Sequence, residues 1–264
     1  MLTAGWEPAD ERELAMAAAS HSGEPFHLAA VRGMLAGAGL TEDDLGCPAQ
    51  LPLGVEAAHD VLRGGEGPTR VRMNCSGKHA AMLATCVARG WPTAGYLAPD
   101  APLQAHLTAE VTRLAGEPVR HVAVDGCGAP QHALTLPGLA RAFAALVTAP
   151  VGTPERRVAD AVRAHPDLVA GTGRDATVLM TGLPGLMAKD GADGVYAAAL
   201  PDGSAVALKI ADGASRARVP VLVAALRALG ADAPVLHRLA TEQVLGGDAV
   251  VGEVRVAAAL VGSR

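Results

Sequence analysis

The sequence predicts an α+β fold in which helices lie against one side of an antiparallel sheet. Helical periodicity dominates the first two thirds of the 264 residues, and strand signals gather towards the end. Apolar residues make up 50% of the chain, which is ample for a core, but aromatic residues make up only 2%. Small aliphatic side chains must therefore fill the interior, and we expect a single domain over residues 1–264.

The helical part opens with a capping signal. Asp10 is the expected N-cap of a helix over 10–19, because Glu13 follows three residues later. Gly and Pro at positions 23 and 25 should break that helix, and a second capping box at 41–44 should open a short turn. Apolar spacing predicts further helices over 28–38, 55–62, 76–89, 103–114, 139–147, 154–164 and 215–229.

Strand signals are fewer and mostly late. Apolar alternation predicts a strand over 121–125 that ends at Gly126. The segments 195–200 and 205–210 flank Pro201-Asp202-Gly203, which is a hairpin signal. A closing strand is expected over 250–257. Antiparallel pairing between consecutive strands follows from these short connections.

Composition excludes several classes of partner. The net charge of −5 provides no basic footprint for nucleic acid, and the few aromatic side chains provide no stacking surface for bases. No apolar run reaches transmembrane length, and the first residues lack the basic and apolar regions of a signal peptide. We therefore expect a cytoplasmic protein without membrane contact, in which the four cysteines are free thiols.

Lysine is rare in this chain. There are three lysines against nineteen arginines, and each lysine lies in a short glycine-containing segment. Arginine stays charged in proteins, whereas a buried lysine can lose its proton and act as a base. The alternative is a codon bias that spared Lys78, Lys189 and Lys209 by chance.

Two segments in the first third combine reactive side chains. Residues 20–27 contain Ser20, His21 and Glu24 at a junction between helix and loop, where side chains are exposed on a rigid support. Residues 74–79 open a helix whose unpaired amides attract anions, and Cys75 there could be a thiolate. The alternatives are a polar helix cap in the first case and a serine N-cap with a chance lysine in the second.

Two later segments complete the set. A predicted strand ends at Asp125 in a tight turn that carries the thiol of Cys127, although an ordinary turn with a buried cysteine is the alternative. Arg174 could hold a substrate carboxylate by two parallel hydrogen bonds. Lys189 precedes a glycine-rich turn and could project its amine into a cleft, although both residues could also be ordinary loop positions.

Together these segments resemble the asparaginase II family, the thermolabile or rhizobial-type L-asparaginases. The segments are Ala19-Ser20-His21-Ser22-Gly23-Glu24-Pro25, Asn74-Cys75-Ser76-Gly77-Lys78-His79-Ala80, Asp125-Gly126-Cys127-Gly128, Gly171-Thr172-Gly173-Arg174, Lys189-Asp190-Gly191-Ala192-Asp193-Gly194-Val195 and Leu208-Lys209-Ile210-Ala211-Asp212-Gly213. The match is collinear from Trp6 to about Val261. The resemblance implies a fold similar to serine β-lactamases and glutaminases, with an antiparallel sheet flanked by helices.

The resemblance also implies a reaction and a metal. The family hydrolyses L-asparagine to L-aspartate and ammonia with serine–lysine pairs, one of which corresponds here to Ser20 and Lys189. Family members bind zinc at the positions of Cys75, Lys78 and Cys127, and they form homodimers. Lysine must be neutral to bind a metal ion.

Substrate recognition is less defined than the reaction. Residue type favours Arg174 for the α-carboxylate of the substrate, and His21 is a further candidate contact. The α-ammonium needs a carboxylate or carbonyl oxygens, and Glu24, Asp125 and Asp212 stay open as alternatives.

One family feature is missing from the sequence. No serine or threonine has a lysine three residues later, whereas the family carries such a Ser-x-x-Lys pair shortly before the region that matches residues 1–6. We therefore expect a chain that is N-terminally truncated relative to the family. Loss of that pair would leave a zinc- or amino-acid-binding protein without activity. A glutaminase or β-lactamase-like acyl hydrolase, and a structural domain with a disulfide between Cys75 and Cys127, are further alternatives.

Overall fold

The computed structural model of the protein describes residues 1–257, so the end of the resemblance near residue 261 lies outside the described residues. The described residues combine α-helices along most of their length with small antiparallel sheets that begin at residue 122, which confirms the α+β class. The described strands form three small sheets, of three, two and two strands, where one sheet was expected.

Most predicted helices are present with small shifts at their ends. The Asp10 side chain accepts a hydrogen bond from the Glu13 amide at 2.9 Å, which confirms the N-cap. Pro25 begins a helix rather than only ending one, because proline fits the first helical turn. The helices are α1 (Glu11–Ala17), α2 (Pro25–Gly37), α3 (Val55–Arg63), α4 (Ser76–Arg89), α5 (Pro102–Ala115), α6 (Leu136–Thr148), α7 (Pro154–Ala164), α8 (Pro166–Val169), α9 (Asp175–Gly182), α10 (Arg218–Ala228) and α11 (Pro234–Arg238).

The strands pair only with their neighbours in sequence. The strands are β1 (Val122–Val124), β2 (Pro130–His132), β3 (Met187–Asp190), β4 (Val195–Ala199), β5 (Ala205–Lys209), β6 (Thr241–Gly246) and β7 (Ala249–Arg255). The predicted hairpin corresponds to β4 and β5, and β3 adds a third antiparallel strand on the other side of β4. Sequence patterns did not predict β3, because four residues are too few to show an alternation.

The core lies between the early helices and the three-stranded sheet. Helix α4 packs on α2 and α1, and α6 packs across β4 and β5. Among the fully buried side chains are Met16, Leu83, Leu179, Tyr196 and Leu222. None of the helices within residues 1–257 has the length and apolar character needed to cross a membrane.

A glycine brings the two site-bearing helices together. A Cβ at Gly77 would lie 2.5 Å from the backbone oxygen of Met16, so only glycine permits α1 and α4 to approach this closely. This contact places the chain that leaves α1 beside the first turn of α4. The segments at 20–27 and 74–79 therefore meet in space.

Candidate functional site

A cavity of about 420 Å³ opens where these two segments meet the turn between β1 and β2. Five of the predicted site residues line it: Ser20, Cys75, Lys78, Asp125 and Cys127. The other lining residues are Gln50, Met73, Asn74, Gly126, Pro130, Gln131, Gly191 and Ala192. The volume lies within the range of small-molecule pockets.

Ser20 lies on an extended segment that is held from two sides. Its amide donates to the Val169 carbonyl at 2.9 Å, and the His21 amide donates to the Asn74 carbonyl at 2.9 Å. Within residues 1–257 the Ser20 hydroxyl makes no hydrogen bond to another protein group. The backbone of this serine is therefore fixed while its hydroxyl stays available in the cavity.

His21 lies beneath the cavity and is fully buried. The Gly23 amide donates to its Nδ1 at 3.1 Å, so Nε2 carries the ring proton and donates to the Ser76 hydroxyl at 2.9 Å. Burial, reinforced by His27 and Arg174, lowers the pKa of His21 to about 3. Both ring nitrogens of His21 are thus engaged within the protein, where the neutral imidazole joins the 20–27 segment to α4, and a contact with substrate stays a prediction.

Glu24 connects α2 to the loop that precedes α9. Its carboxylate accepts hydrogen bonds from the Thr172 amide at 2.8 Å and from the Thr172 hydroxyl at 2.7 Å. Both carboxylate oxygens therefore have partners, and Glu24 is absent from the cavity wall. The structure thus shows a positioning contact at the residue that was predicted to bind substrate.

Arg174 belongs to a buried ion network centred on Asp190, whose side chain is only 7% exposed. One Arg174 nitrogen donates to the Ser20 carbonyl at 2.8 Å, and another donates to the Asp190 carboxylate. Arg218 lies 3.6 Å from the same carboxylate. The predicted carboxylate-binding arginine is thus engaged with the protein, and it ties Ser20 to β3.

Lys189 lies within β3 and is largely buried, with 20% of its side chain exposed. Its Nζ donates to the Asp190 carbonyl at 2.7 Å and to the Asp190 carboxylate at 3.3 Å. No hydrogen bond joins it to the Ser20 hydroxyl among the described residues. Burial lowers the pKa of Lys189 and Arg174 acts in the same direction, although Asp190 opposes them.

The opposite side of the cavity is a cluster of sulfur, oxygen and nitrogen atoms. The ligand atoms of Cys75, Asp125 and Cys127 all lie within 4.8 Å of one another. The Lys78 Nζ is 3.3 Å from the Cys127 sulfur and 3.6 Å from an Asp125 oxygen. Helix α4 positions two of these residues, since Cys75 is its N-cap and Lys78 lies one turn later.

This donor set could hold a metal ion. The thiols of Cys75 and Cys127 and the carboxylate of Asp125 are ligand types that zinc accepts. The Cys127 thiol donates to an Asp125 oxygen at 2.9 Å, so a proton occupies the place between two ligand atoms that a metal ion would take. All four cysteines are free thiols, as predicted, so the structure contains no disulfide between Cys75 and Cys127.

The charges of the cluster are unequal. Pairing with Cys127 lowers the pKa of Cys75 to about 7, with help from Lys78. The same pairing and burial raise the pKa of Cys127 to about 12. Burial alone would lower the pKa of Lys78, but Cys75, Cys127 and Asp125 outweigh it and the pKa is raised. Cys75 therefore forms a thiolate more readily than Cys127. Lys78 would have to lose a proton to bind a metal ion.

Sequence patterns did not single out two residues of the site. Asp190 organises Lys189, Arg174 and Arg218, and its position directly after a rare lysine was the available signal. His79 ends the Asn74–His79 segment and is fully buried behind the cluster, where an imidazole in a first helical turn was the signal.

Comparison with known proteins identifies a family for this chain. A family model described as L-asparaginase II matches residues 1–256. No curated protein matches the chain. The matched region includes every candidate residue of the cavity and of the ion network beside it.

Proposed function

Because the chain belongs to the L-asparaginase II family, we propose that it hydrolyses the side-chain amide of L-asparagine to L-aspartate and ammonia. Asparaginase-like amide hydrolysis in general follows from the family; the substrate and the serine–lysine mechanism are our proposal. The observation that carries the proposal is the single cavity in which the free hydroxyl of Ser20 faces the cluster of Cys75, Lys78, Asp125 and Cys127.

Ser20 is the proposed nucleophile. An amide is a poor electrophile, so the hydroxyl needs a base in reach. Lys189 suits that role because its pKa is lowered by burial, which makes the neutral amine accessible. Its Nζ would exchange the 3.3 Å contact with the Asp190 carboxylate for the Ser20 hydroxyl and keep the 2.7 Å bond to the Asp190 carbonyl.

The proposed reaction forms an ester on Ser20 and then hydrolyses it. The Ser20 oxygen bonds to the amide carbon while its proton moves to the Lys189 amine. The carbon–nitrogen bond then breaks, and ammonia leaves with that proton. A water molecule attacks the resulting ester, gives its proton to the Lys189 amine, and aspartate leaves as the proton returns to the Ser20 oxygen. The transient oxyanion needs donors, for which unpaired amides in the first turn of α4 are the candidates.

A zinc ion is part of the proposal. Cys75, Lys78 and Cys127 would hold it, with Asp125 alongside. When bound, the ion supplies positive charge at the cavity wall, which favours thiolates and neutral amines nearby. The protein's own contribution is to keep the ligand atoms of Cys75, Asp125 and Cys127 within 4.8 Å of one another.

Substrate charges can now be assigned more narrowly. Of the three carboxylates left open, Asp125 lines the cavity, whereas Glu24 bonds Thr172 and Asp212 bonds Arg216 at 2.9 Å. We therefore propose Asp125 for the substrate ammonium. Arg174 would act indirectly, by holding the Ser20 carbonyl and Asp190.

Ammonia release from L-asparagine tests the proposal. Ser20→Ala and Lys189→Ala should each lower turnover strongly, while Ser22→Ala should retain it, because the Ser22 hydroxyl bonds the Ala170 carbonyl away from the cavity. Unchanged turnover in both site variants would remove the mechanism. L-Glutamine and nitrocefin as substrates separate a glutaminase or a β-lactamase-like hydrolase from an asparaginase.

A second function has specific support. The Lys189 amine donates to the Asp190 carbonyl rather than to the Ser20 hydroxyl. The sequence also contains no Ser-x-x-Lys pair. A zinc- or amino-acid-binding protein without catalysis would fit those two observations. It predicts that L-asparagine or L-aspartate raises the melting temperature while no ammonia appears.

The homodimer is proposed on the family resemblance, and the cytoplasmic location on the composition of the chain. We propose a cytoplasmic homodimer, for which light scattering on the purified protein is the direct test. A monomer at micromolar concentration would contradict it.

A further inference from the structure

Arg218 is a largely buried arginine that does not line the cavity. It is the first residue of α10, and only 13% of its side chain is exposed. One terminal guanidinium nitrogen donates to the Gly191 carbonyl at 3.0 Å, and the other donates to the Asp175 carboxylate at 3.0 Å. The second nitrogen also lies 3.6 Å from the Asp190 carboxylate. A single side chain therefore links the start of α9, the end of β3 and the turn that follows β3.

The flat face of this guanidinium is also covered. Its central carbon lies 5.3 Å from the centre of the Tyr196 ring. Tyr196 is fully buried on β4, where it is the antiparallel partner of Asp190. A planar guanidinium that is bonded through two nitrogens and lies over an aromatic ring has little freedom to turn. Arg218 is thus a rigid link between these elements.

Arg218 and Arg174 face the same oxygen of the Asp190 carboxylate. Arg174 donates a hydrogen bond to Oδ2, and Arg218 lies 3.6 Å from that atom. The Oδ1 atom is left for the Lys189 amine, which lies 3.3 Å away. Two cations beside one oxygen hold the carboxylate in a fixed orientation. The place of the Lys189 amine therefore depends on both arginines.

Arg218 also supports the segment that holds Ser20. Asp175 directly follows Arg174, which donates to the Ser20 carbonyl at 2.8 Å. By bonding the Asp175 carboxylate, Arg218 fixes the start of α9, from which Arg174 reaches Ser20. Gly191, whose carbonyl Arg218 bonds, is part of the cavity wall. The supports of the proposed nucleophile and of the proposed base thus share one anchor.

We propose that Arg218 is a positioning residue that sets the place of the Lys189 amine relative to the Ser20 hydroxyl. The inference rests on the serine–lysine pair of the proposed function, and it names the group that holds this pair in register from outside the cavity. A misplacement of about 1 Å between reacting groups can lower a rate by about 10²-fold. Loss of Arg218 should therefore lower kcat. It should leave KM nearly unchanged, because the proposed site for the substrate ammonium lies on the opposite side of the cavity.

The first test is steady-state ammonia release from L-asparagine by the full chain. Arg218→Met should lower kcat per folded molecule by about 10²-fold with little change in KM. Arg218→Lys keeps the positive charge that the neighbouring carboxylates need for folding. A single ammonium lacks the fixed fork that bonds Asp175 and Gly191 together, so this variant should recover only part of kcat.

The matched control is Arg216→Met, because Arg216 bonds Asp212 at the surface and its side chain is 66% exposed. This variant should keep the wild-type kcat. Equal kcat in Arg218→Met and Arg216→Met, a loss in Arg218→Met that is confined to KM, or wild-type kcat in Arg218→Lys would each overturn the inference.

The second test needs no turnover and separates the two proposals. The chain has three lysines, so ¹³C-labelled lysine gives three side-chain Cε signals, and Lys189→Arg identifies the one from Lys189. That signal should move in Arg218→Met and in Arg218→Lys, which adds one signal of its own, and should stay in place in Arg216→Met. If the wild type released no ammonia, the proposed function would fail, and the lysine signals would still decide whether Arg218 places the amine. A Lys189 signal that is indifferent to both Arg218 variants would overturn the role of Arg218.

Discussion

Two lysines flank the candidate site, and their surroundings drive them in opposite directions. Lys189 is largely buried beside Arg174, and its pKa is lowered. Lys78 is also removed from water, but Cys75, Cys127 and Asp125 surround it and its pKa is raised. Burial disfavours the charged form of both amines, so the neighbouring charged groups decide which of the two loses its proton more readily.

The two sides also differ in how completely their polar groups are paired. On the Lys189 side, the Asp190 carboxylate is shared by three cations. On the Lys78 side, the Nε2 atom of His79 is buried and has no hydrogen-bond partner among the described residues.

The largest effect is expected from Lys189→Arg. Arginine keeps the positive charge but cannot act as a base, so ammonia release should fall by about 10⁴-fold, the upper range for a lost general base. Lys209→Arg is the matched control, because the Lys209 amine bonds only the Ile210 carbonyl on the surface. Equal rates in both variants would contradict the division of roles between the lysines.

The next effect concerns His21, which joins the two sides of the site. Its pKa is about 3 in the folded chain against 6.5 in a free side chain. The unfolded chain therefore takes up a proton below pH 6.5 while the folded chain does not, so stability present above pH 6.5 is lost as the pH falls towards 3. The free energy of unfolding should fall by up to about 5 kcal/mol from this group.

Urea unfolding at a series of pH values measures that loss. His21→Gln should show a shallower decline between pH 6.5 and 4, because glutamine does not titrate there. Carboxylates such as Asp190 contribute in both proteins and cancel in the comparison. Identical slopes for the two proteins would mean that His21 titrates normally in the folded chain.

Cys75→Ser tests the cluster of thiols and carboxylate that surrounds Lys78. If Cys75 is a ligand, its loss should weaken Zn²⁺ binding by more than about 10–100-fold, the range that follows loss of a group that only hydrogen-bonds a ligand. Competition with a chromophoric chelator measures the affinity. Cys86→Ser is the matched control, since Cys86 is a buried free thiol outside the cavity. Equal Zn²⁺ affinity in the two variants would exclude Cys75 as a ligand.

The smallest effect is expected at a helix end away from both lysines. Asp10→Ala removes the cap that accepts the Glu13 amide and should lower the free energy of unfolding by about 1 kcal/mol. Thermal or urea unfolding detects this change, and turnover per folded molecule should stay constant. A loss of turnover would show that stability and chemistry are not separable in this way.

Much of the secondary structure could be read from the sequence. The helix at 76–89 was predicted with its observed ends, because apolar residues recur at helical spacing and Gly90 adopts the left-handed conformation that ends it. The hairpin of β4 and β5 followed from its turn residues. The expected strand at 250–257 is β7, but its partner β6 was not predicted, since that hairpin is almost wholly exposed and lacks an apolar alternation.

The candidate site, too, could be predicted from the sequence only in part. The short segments around Ser20, Cys75 and Cys127 could be recognised because each combines reactive side chains with glycine-permitted turns. The roles of Glu24 and Arg174 could not, because their partners Thr172 and Asp190 follow from packing between segments. The residue types of Glu24 and Arg174 indicated charged side chains, but they did not indicate which protein groups would bond them.

The sequence by itself determined the helices, the hairpin, the family and the residue types available for chemistry, since these depend on local spacing and short motifs. Only the tertiary structure decided which amine is desolvated beside an arginine and which is surrounded by thiols and a carboxylate. The physical reason is that a pKa depends on burial and on charges a few ångströms away, and Lys78 and Cys127 meet across 49 positions of the chain.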